Sequence, residues 1–198
     1  MVVHNEGKRI NSCLLRIIPY VFEVIIVDQE STDNTMTELL KWKRKPKHRF
    51  AILTDHCSGI CETSRHESLY RAEFNWRLIL DADEYLENPD CLQRLAGSDK
   101  STRIFGFRRK NLIDGVEMKF MGDDYQPRLI DSGIIWPTKL HEAPYHPSRK
   151  NIQDAVIIHD RSYEEVMSDQ ERYMARDDAN LDDHHNFIRQ VNETLGRT

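Results

Sequence analysis

Trp76-Arg77-Leu78-Ile79-Leu80-Asp81-Ala82-Asp83-Glu84-Tyr85 is the stretch on which the reading of this chain turns. Leu78 to Leu80 is a short, wholly apolar run, the mark of a strand covered on both faces. Three carboxylates follow it within four residues. Carboxylates this close repel one another, and the usual remedies are a raised pKa on one of them or a bound cation. The first and third side chains of an extended or turning segment project to the same side, so Asp81 and Asp83 suit a hard divalent ion. The alternative is an ordinary strand end followed by a solvated acidic turn.

Upstream, Met1-Val2-Val3 reads as the tail of a first strand that feeds His4-Asn5-Glu6; it is so short that the chain either begins abruptly or lacks a few residues. Ile10, Cys13, Leu14, Ile17 and Ile18 form the apolar stripe of a helix that Pro19 ends. Val24 to Val27 is a continuously apolar second strand closed by Asp28, and the polar turn Gln29 to Thr35 offers N-caps for a helix carrying Met36, Leu39 and Leu40. The basic run Lys41 to Arg49, broken by Pro46, reads as a solvated loop rather than a phosphate site. Phe50 to Leu53 is a third strand, and a helix over Glu62 to Phe74 brings Arg65 towards the same sheet edge. This βαβα order predicts an α/β fold, a mostly parallel central sheet with helices on both faces. Ligands of such sheets sit at the carboxyl ends of the strands, where Asn5, Glu6, Asp28, Asp81 and Asp83 gather.

Composition narrows the field. The 198 residues are enough for one core with an appendage, and a net charge of -5 gives no reason to expect nucleic acid as a partner. No apolar run has the length of a membrane span and Met1 to Glu6 has no signal-peptide design, so a soluble, cytoplasmic protein is expected, with peripheral membrane association left open. Cys13, Cys57, Cys61 and Cys91 include no second paired half for a zinc site and read as reduced structural thiols.

The three motifs Val2-Val3-His4-Asn5-Glu6, Ile26-Val27-Asp28-Gln29-Glu30-Ser31-Thr32-Asp33-Asn34-Thr35 and Leu78-Ile79-Leu80-Asp81-Ala82-Asp83-Glu84, in this order, resemble the family 2 glycosyltransferases of GT-A fold. More narrowly, they are similar to the bacterial lipopolysaccharide-core β-glucosyltransferases, over about residues 1 to 165. The resemblance implies a nucleotide-diphosphosugar donor, a glycan or lipid-linked acceptor, a divalent cation (Mn or Mg) and inversion at the anomeric carbon. It implies donor contacts from Asn5, Glu6 and Asp28, the last to the base. Arg65 is implied to approach the nucleotide, Asp81 to lie by the ribose and metal, and Asp83 to bind the metal directly. Gln29 and Glu30 depart from the family pattern, which bears on base selectivity and on whether the site is intact.

In the second half, Asp114-Gly115 between Ile104 to Phe107 and Val116 to Phe120 signals a hairpin. Tyr125 to Ile130, with Arg128, precedes His141-Glu142, again as in the family. An inverting transfer needs a base to take the acceptor hydroxyl's proton, and Glu142 is the candidate, with a salt-bridge or acceptor-binding role as its alternative. Arg128 is a candidate to neutralise the diphosphate, with holding an acceptor or pairing with Asp124 or Asp131 as its alternatives. Val156-Ile157-Ile158 ends in His159, which the resemblance implies returns to the metal. From Ser162 onward the pattern is helical, with Val166, Phe187, Ile188, Val191 and Leu195 fitting an appended helical pair or a homodimer contact. The expected domains are therefore 1-160, divided into a nucleotide-binding half (1-88) and an acceptor half (89-160), and a helical appendage, 161-198. The leading expectation is an active transferase; the alternatives are an inactive nucleotide-sugar or glycan binder and a metal-dependent hydrolase using Asp81, Asp83, His141 and His159.

Overall fold

The computed structural model describes residues 1–45, 48–56, 61–98, 101–122, 124–137, 143–175 and 181–197. Its first half is the βα succession read from the sequence: β1 (Val2–Val3), α1 (Ile10–Ile17), β2 (Glu23–Asp28), α2 (Thr35–Lys43) and β3 (Arg49–Thr54). The three strands are parallel in the order β1-β2-β3, with Val2 opposite Val27 and Val24 opposite Phe50. Pro19 converts the end of α1 into a 3-10 turn over Ile18–Tyr20, as a residue without an amide hydrogen should.

After α3 (Cys61–Arg71) come β4 (Trp76–Leu78), β5 (Glu84–Leu86), α4 (Cys91–Ala96), β6 (Ile104–Ile113), β7 (Val116–Glu117), β8 (Asp124–Asp131) and β9 (Arg149–Arg161). They form a second, mixed sheet in the order β4-β8-β6-β9-β5, with β7 added to β6. Among the described residues of this sheet only β6 and β9 run parallel; the other pairs are antiparallel. The antiparallel pairing starts at the expected hairpin, where Asp114 and Gly115 both take positive φ (49° and 77°), as primed turns require.

The opening decapeptide links the two ends of this sheet. β4 itself stops at Leu78, but Ile79 and Leu80 stay 3% exposed, and the Ile79 amide extends the pairing by donating to the Arg128 carbonyl at 2.7 Å. The chain then turns through Asp81-Ala82-Asp83, where the Glu84 amide donates to the Asp81 carbonyl at 3.1 Å, and re-enters the sheet as β5 on its far edge.

Helices cover both faces, as the continuous apolar strands require. On one side Ile10 and Leu14 of α1 and Leu39 and Trp42 of α2 pack on Val24 and Ile26, while Cys13, Ile17 and α4 pack on Phe105, Phe107 and Ile157. On the other side Leu69 of α3 meets Ile79, Ile104 and Ile130. Cys13 and Cys91 are buried free thiols, and burial pushes the Cys13 thiol up to about 12, so both behave as small apolar groups. Cys57 lies outside the described residues.

The C-terminal segment is a helical pair, α5 (Tyr163–Met174) and α6 (Leu181–Leu195). Val166 and Val191 seat the pair on Ile113 and Met118 at the end of the β6–β7 hairpin. His184 turns its ring to Gln170 of α5 at 3.0 Å, a helix–helix contact. Ser162 and Glu165 form a capping box: the Glu165 amide donates to Ser162 Oγ at 3.3 Å and the Ser162 amide to Glu165 Oε2 at 2.8 Å. Ser162→Ala is expected to cost about 1 kcal/mol in a urea melt, with an unchanged denaturant slope.

Candidate functional site

A cleft of about 260 Å³ opens at the carboxyl ends of β1 and β2 and is lined by Glu6, Arg65, Asp81, Asp83, Arg109 and His159, among others. Two arginines fix the first of its carboxylates. Arg65 Nη2 donates to Asp81 Oδ1 at 2.8 Å, and Arg128 Nη2 donates to Asp81 Oδ2 at 3.2 Å and to Glu84 Oε1 at 2.5 Å. Burial alone would push the Asp81 carboxyl up, yet the Arg128 and Arg65 guanidiniums outweigh it and hold it down at about 2. Glu84 is 2% exposed, and burial pushes its carboxyl up despite Arg128; its Oε2 also accepts from the Asp81 amide at 3.2 Å. Glu84 thus supports the turn from beneath.

Asp83 points the other way. Its Oδ2 lies 3.1 Å from His159 Nε2, and 3.7 Å from Arg9 Nη1. Burial raises the Asp83 carboxyl, but the hydrogen bond and charge of His159 bring it below its ordinary value. The other ring nitrogen, His159 Nδ1, lies 2.9 Å from Asn111 Oδ1, so the ring is oriented from both sides. Backbone pairing reinforces the junction: the Asp160 amide donates to the Asp83 carbonyl at 3.1 Å. An imidazole and a carboxylate side by side fit a divalent cation completed by phosphate oxygens and water. Among the described residues no group of three His, Cys, Asp or Glu side chains is arranged to hold a metal unaided.

Asp28 is 3% exposed at the end of β2, where its Oδ2 accepts from the Ser31 amide at 3.2 Å and its buried Oδ1 has no hydrogen-bond partner among the described residues. Asn5, at φ 58°, accepts from the Thr32 amide at 2.8 Å and the Asp33 amide at 3.3 Å, and so pins the loop between β2 and α2 across the end of β1. Gly7 packs so closely there that a Cβ would stand 1.9 Å from Asn34 Oδ1. Glu6 is shifted up to about 7, because burial outweighs the neighbouring Arg9. Gln29, flagged as a departure, donates to Ser64 of α3 at 2.7 Å, and Ser64 in turn donates to Asp55 at 2.5 Å.

Of the expected donor and metal residues, Glu6, Arg65, Asp81, Asp83 and His159 line one cleft. Asn5 and Asp28 stand at the neighbouring strand ends, and Arg128 lies beneath the cleft, with 4% of its side chain exposed. His141 and Glu142 lie outside the described residues. Sequence reading missed Arg9, which reaches Asp83, Glu6 and, by a close ion pair, Glu165 of α5. It also missed Asn111, brought opposite His159 by the parallel β6–β9 register. Neither carries a local signal, since both contacts come from distant elements.

The charged cleft lies at the carboxyl ends of the parallel strands, where ligands of open α/β sheets bind. The chain belongs to glycosyl transferase family 2, whose profile matches residues 1–156. Over 163 residues, 71% of the chain, it is 26% identical to the poly(ribitol-phosphate) beta-glucosyltransferase of Bacillus spizizenii, of which the match covers 24%. The fold, GT-A, is shared with S. aureus TarS 1-349 in complex with UDP-GlcNAc, at a TM-score of 0.62 and 17% identity, covering 80% of this chain and 56% of that one. It is also shared with the same TarS segment in complex with UDP, at a TM-score of 0.60 and 15% identity, covering 98% and 69%. The chain thus spans about a quarter of the curated relative and somewhat over half of the TarS segment bound to UDP-GlcNAc. No helix among the described residues is long and apolar enough to cross a membrane.

Proposed function

We propose that this chain carries the donor site and the catalytic base of an inverting glycosyltransferase, moving a sugar from a UDP-sugar to an acceptor hydroxyl on a glycan or lipid-linked glycan. The observation that carries the proposal is the division of labour around one turn: Asp81 is neutralised by Arg65 and Arg128, whereas Asp83 is left beside His159 at the cleft. The names of the solved neighbours support a uridine nucleotide, since TarS has been captured with UDP-GlcNAc and with UDP. In this reading the free Oδ1 of Asp28 accepts from the base, and Asp81 lies by the ribose. Asp83 and His159 would hold Mn or Mg, whose chemistry there is to offset charge on the diphosphate as the sugar leaves. Arg65 supplies fixed positive charge on the same side. Glu142 takes the proton of the attacking hydroxyl. Use of a nucleotide sugar fits a cytoplasmic enzyme working at or near a membrane-linked acceptor.

Thermal shift with UDP, GDP, CDP and dTDP, each with and without Mn, tests the donor site. UDP with Mn is expected to raise the melting temperature most, because a ligand bound only to the native state stabilises it. Asp83→Asn is expected to remove the Mn-dependent part of the shift, and an undiminished shift in that variant would sink the metal assignment. Release of UDP from UDP-sugars by the unsubstituted chain, in the presence of acceptor, separates transfer from binding alone.

A further inference from the structure

The loop that leaves β8 buries Trp136, 5% exposed, in the apolar cluster of Leu69, Ile79, Ile104, Ile130 and Ile134. Three members of that cluster stand next in the chain to the charges of the cleft. Leu69 lies one helical turn after Arg65 in α3, Ile79 two residues before Asp81, and Ile130 two residues after Arg128 in β8. These are the charged side chains that meet at Asp81, with Arg65 at 2.8 Å and Arg128 at 3.2 Å. The cluster around Trp136 therefore carries the backbone of the whole arginine–carboxylate group. The ring itself does more than fill space. The Arg65 guanidinium carbon lies over the indole, 5.1 Å from its centroid, and the Arg65 side chain is 13% exposed, so water screens the attraction little. The indole Nε1 is buried with no hydrogen-bond partner among the described residues, whereas a buried tryptophan usually finds one. Leucine would fill an apolar cluster without burying an N–H, so what the indole adds here is its face.

We infer that Trp136 is the positioning residue of Arg65: the indole holds the guanidinium against Asp81 and so places the cation that meets the donor. An arginine on a flexible stem gives up rotamer freedom when it binds an anion, and a ring that has already fixed it removes that cost. Trp136 also begins the segment that runs through Pro137 to Glu142. The cation on the donor side and the stretch bearing the proposed base thus share one anchor. The effect on donor affinity rests on the nucleotide-sugar reading; the contact between ring and guanidinium does not.

Two measurements test it. In the NMR spectrum of the ligand-free chain, the Arg65 side-chain protons are expected upfield of their ordinary position, shifted by the ring current of the indole, and Trp136→Leu should return them. UDP affinity, by titration calorimetry, is expected to fall about tenfold in Trp136→Leu and less than about threefold in Trp136→Phe, which keeps an aromatic face. In an Arg65→Met background, Trp136→Leu should leave UDP affinity where Arg65→Met alone puts it, because the ring then has no cation to hold. Ordinary Arg65 shifts in the unsubstituted chain overturn the inference, and that spectrum decides even if Trp136→Leu does not fold. A leucine variant that binds UDP as well as the phenylalanine variant overturns it too. So does one that suffers the same loss on top of Arg65→Met, which would mark a role in packing alone. Absence of UDP binding by the unsubstituted chain would instead strike the donor reading and leave the Arg65 spectrum to decide the placement.

Discussion

Arg128→Met is expected to destabilise the protein by about 3–5 kcal/mol, the effect of leaving buried charges without their partner. Arg128 reaches both Asp81 and Glu84, and its side chain is 4% exposed. Without it, two carboxylates share one turn with Arg65 on Asp81 and only the longer 3.8 Å approach of Arg109 on Glu84. The pH dependence has a definite sign. Asp81 is held at about 2, below its ordinary 3.8, so in the unsubstituted protein it contributes stability above pH 3.8 that is lost as pH falls towards 2. In the variant, Asp81 or Glu84 takes up a proton at milder acidity, so the gap between the two proteins should narrow from pH 8 to pH 5. Urea melts at several pH values measure this. Adding Glu84→Gln to Arg128→Met should recover part of the loss; strict additivity would mean that the two side chains are not coupled in solution.

Glu142→Gln is expected to lower turnover about 100-fold or more while sparing UDP binding, if Glu142 is the base of the proposed transfer. The amide keeps the size and hydrogen-bonding reach of the carboxylate but cannot carry away the acceptor proton. Single-turnover UDP release, set against UDP–Mn affinity from thermal shift, separates the two effects. Near-normal turnover would move the role to another residue. A loss of affinity equal to the loss of turnover would make Glu142 a binding group.

Much of the fold was legible because its cues are local. The apolar stripe of α1, the stop at Pro19, the run Val24 to Val27 and the Asp114-Gly115 turn each act over a few residues, and each became the expected element. What the sequence did not disclose depends on distant pairing. Nothing near residue 84 announces that β5 leaves β4 and joins the far edge beside β9, or that the second sheet is largely antiparallel. The site divides in the same way. Asp81 and Asp83 stand out as charges after a buried run, whereas Arg9 is one more basic residue before a helix until α5 folds beside it. The sequence makes Arg128 a candidate for the diphosphate, and only the folded chain brings its hydrogen bonds to Asp81 and Glu84.

Glu165 has a consequence for where this chain can be divided. The same carboxylate accepts from the Ser162 amide at the start of α5 and pairs with Arg9, which reaches Asp83 in the cleft. Arg9 and Glu165 therefore tie the start of α5 to the cleft. Local fraying of the first turn of α5 would release Arg9 as well, so the stability of the tail and the electrostatics of the cleft vary as one thermodynamic unit.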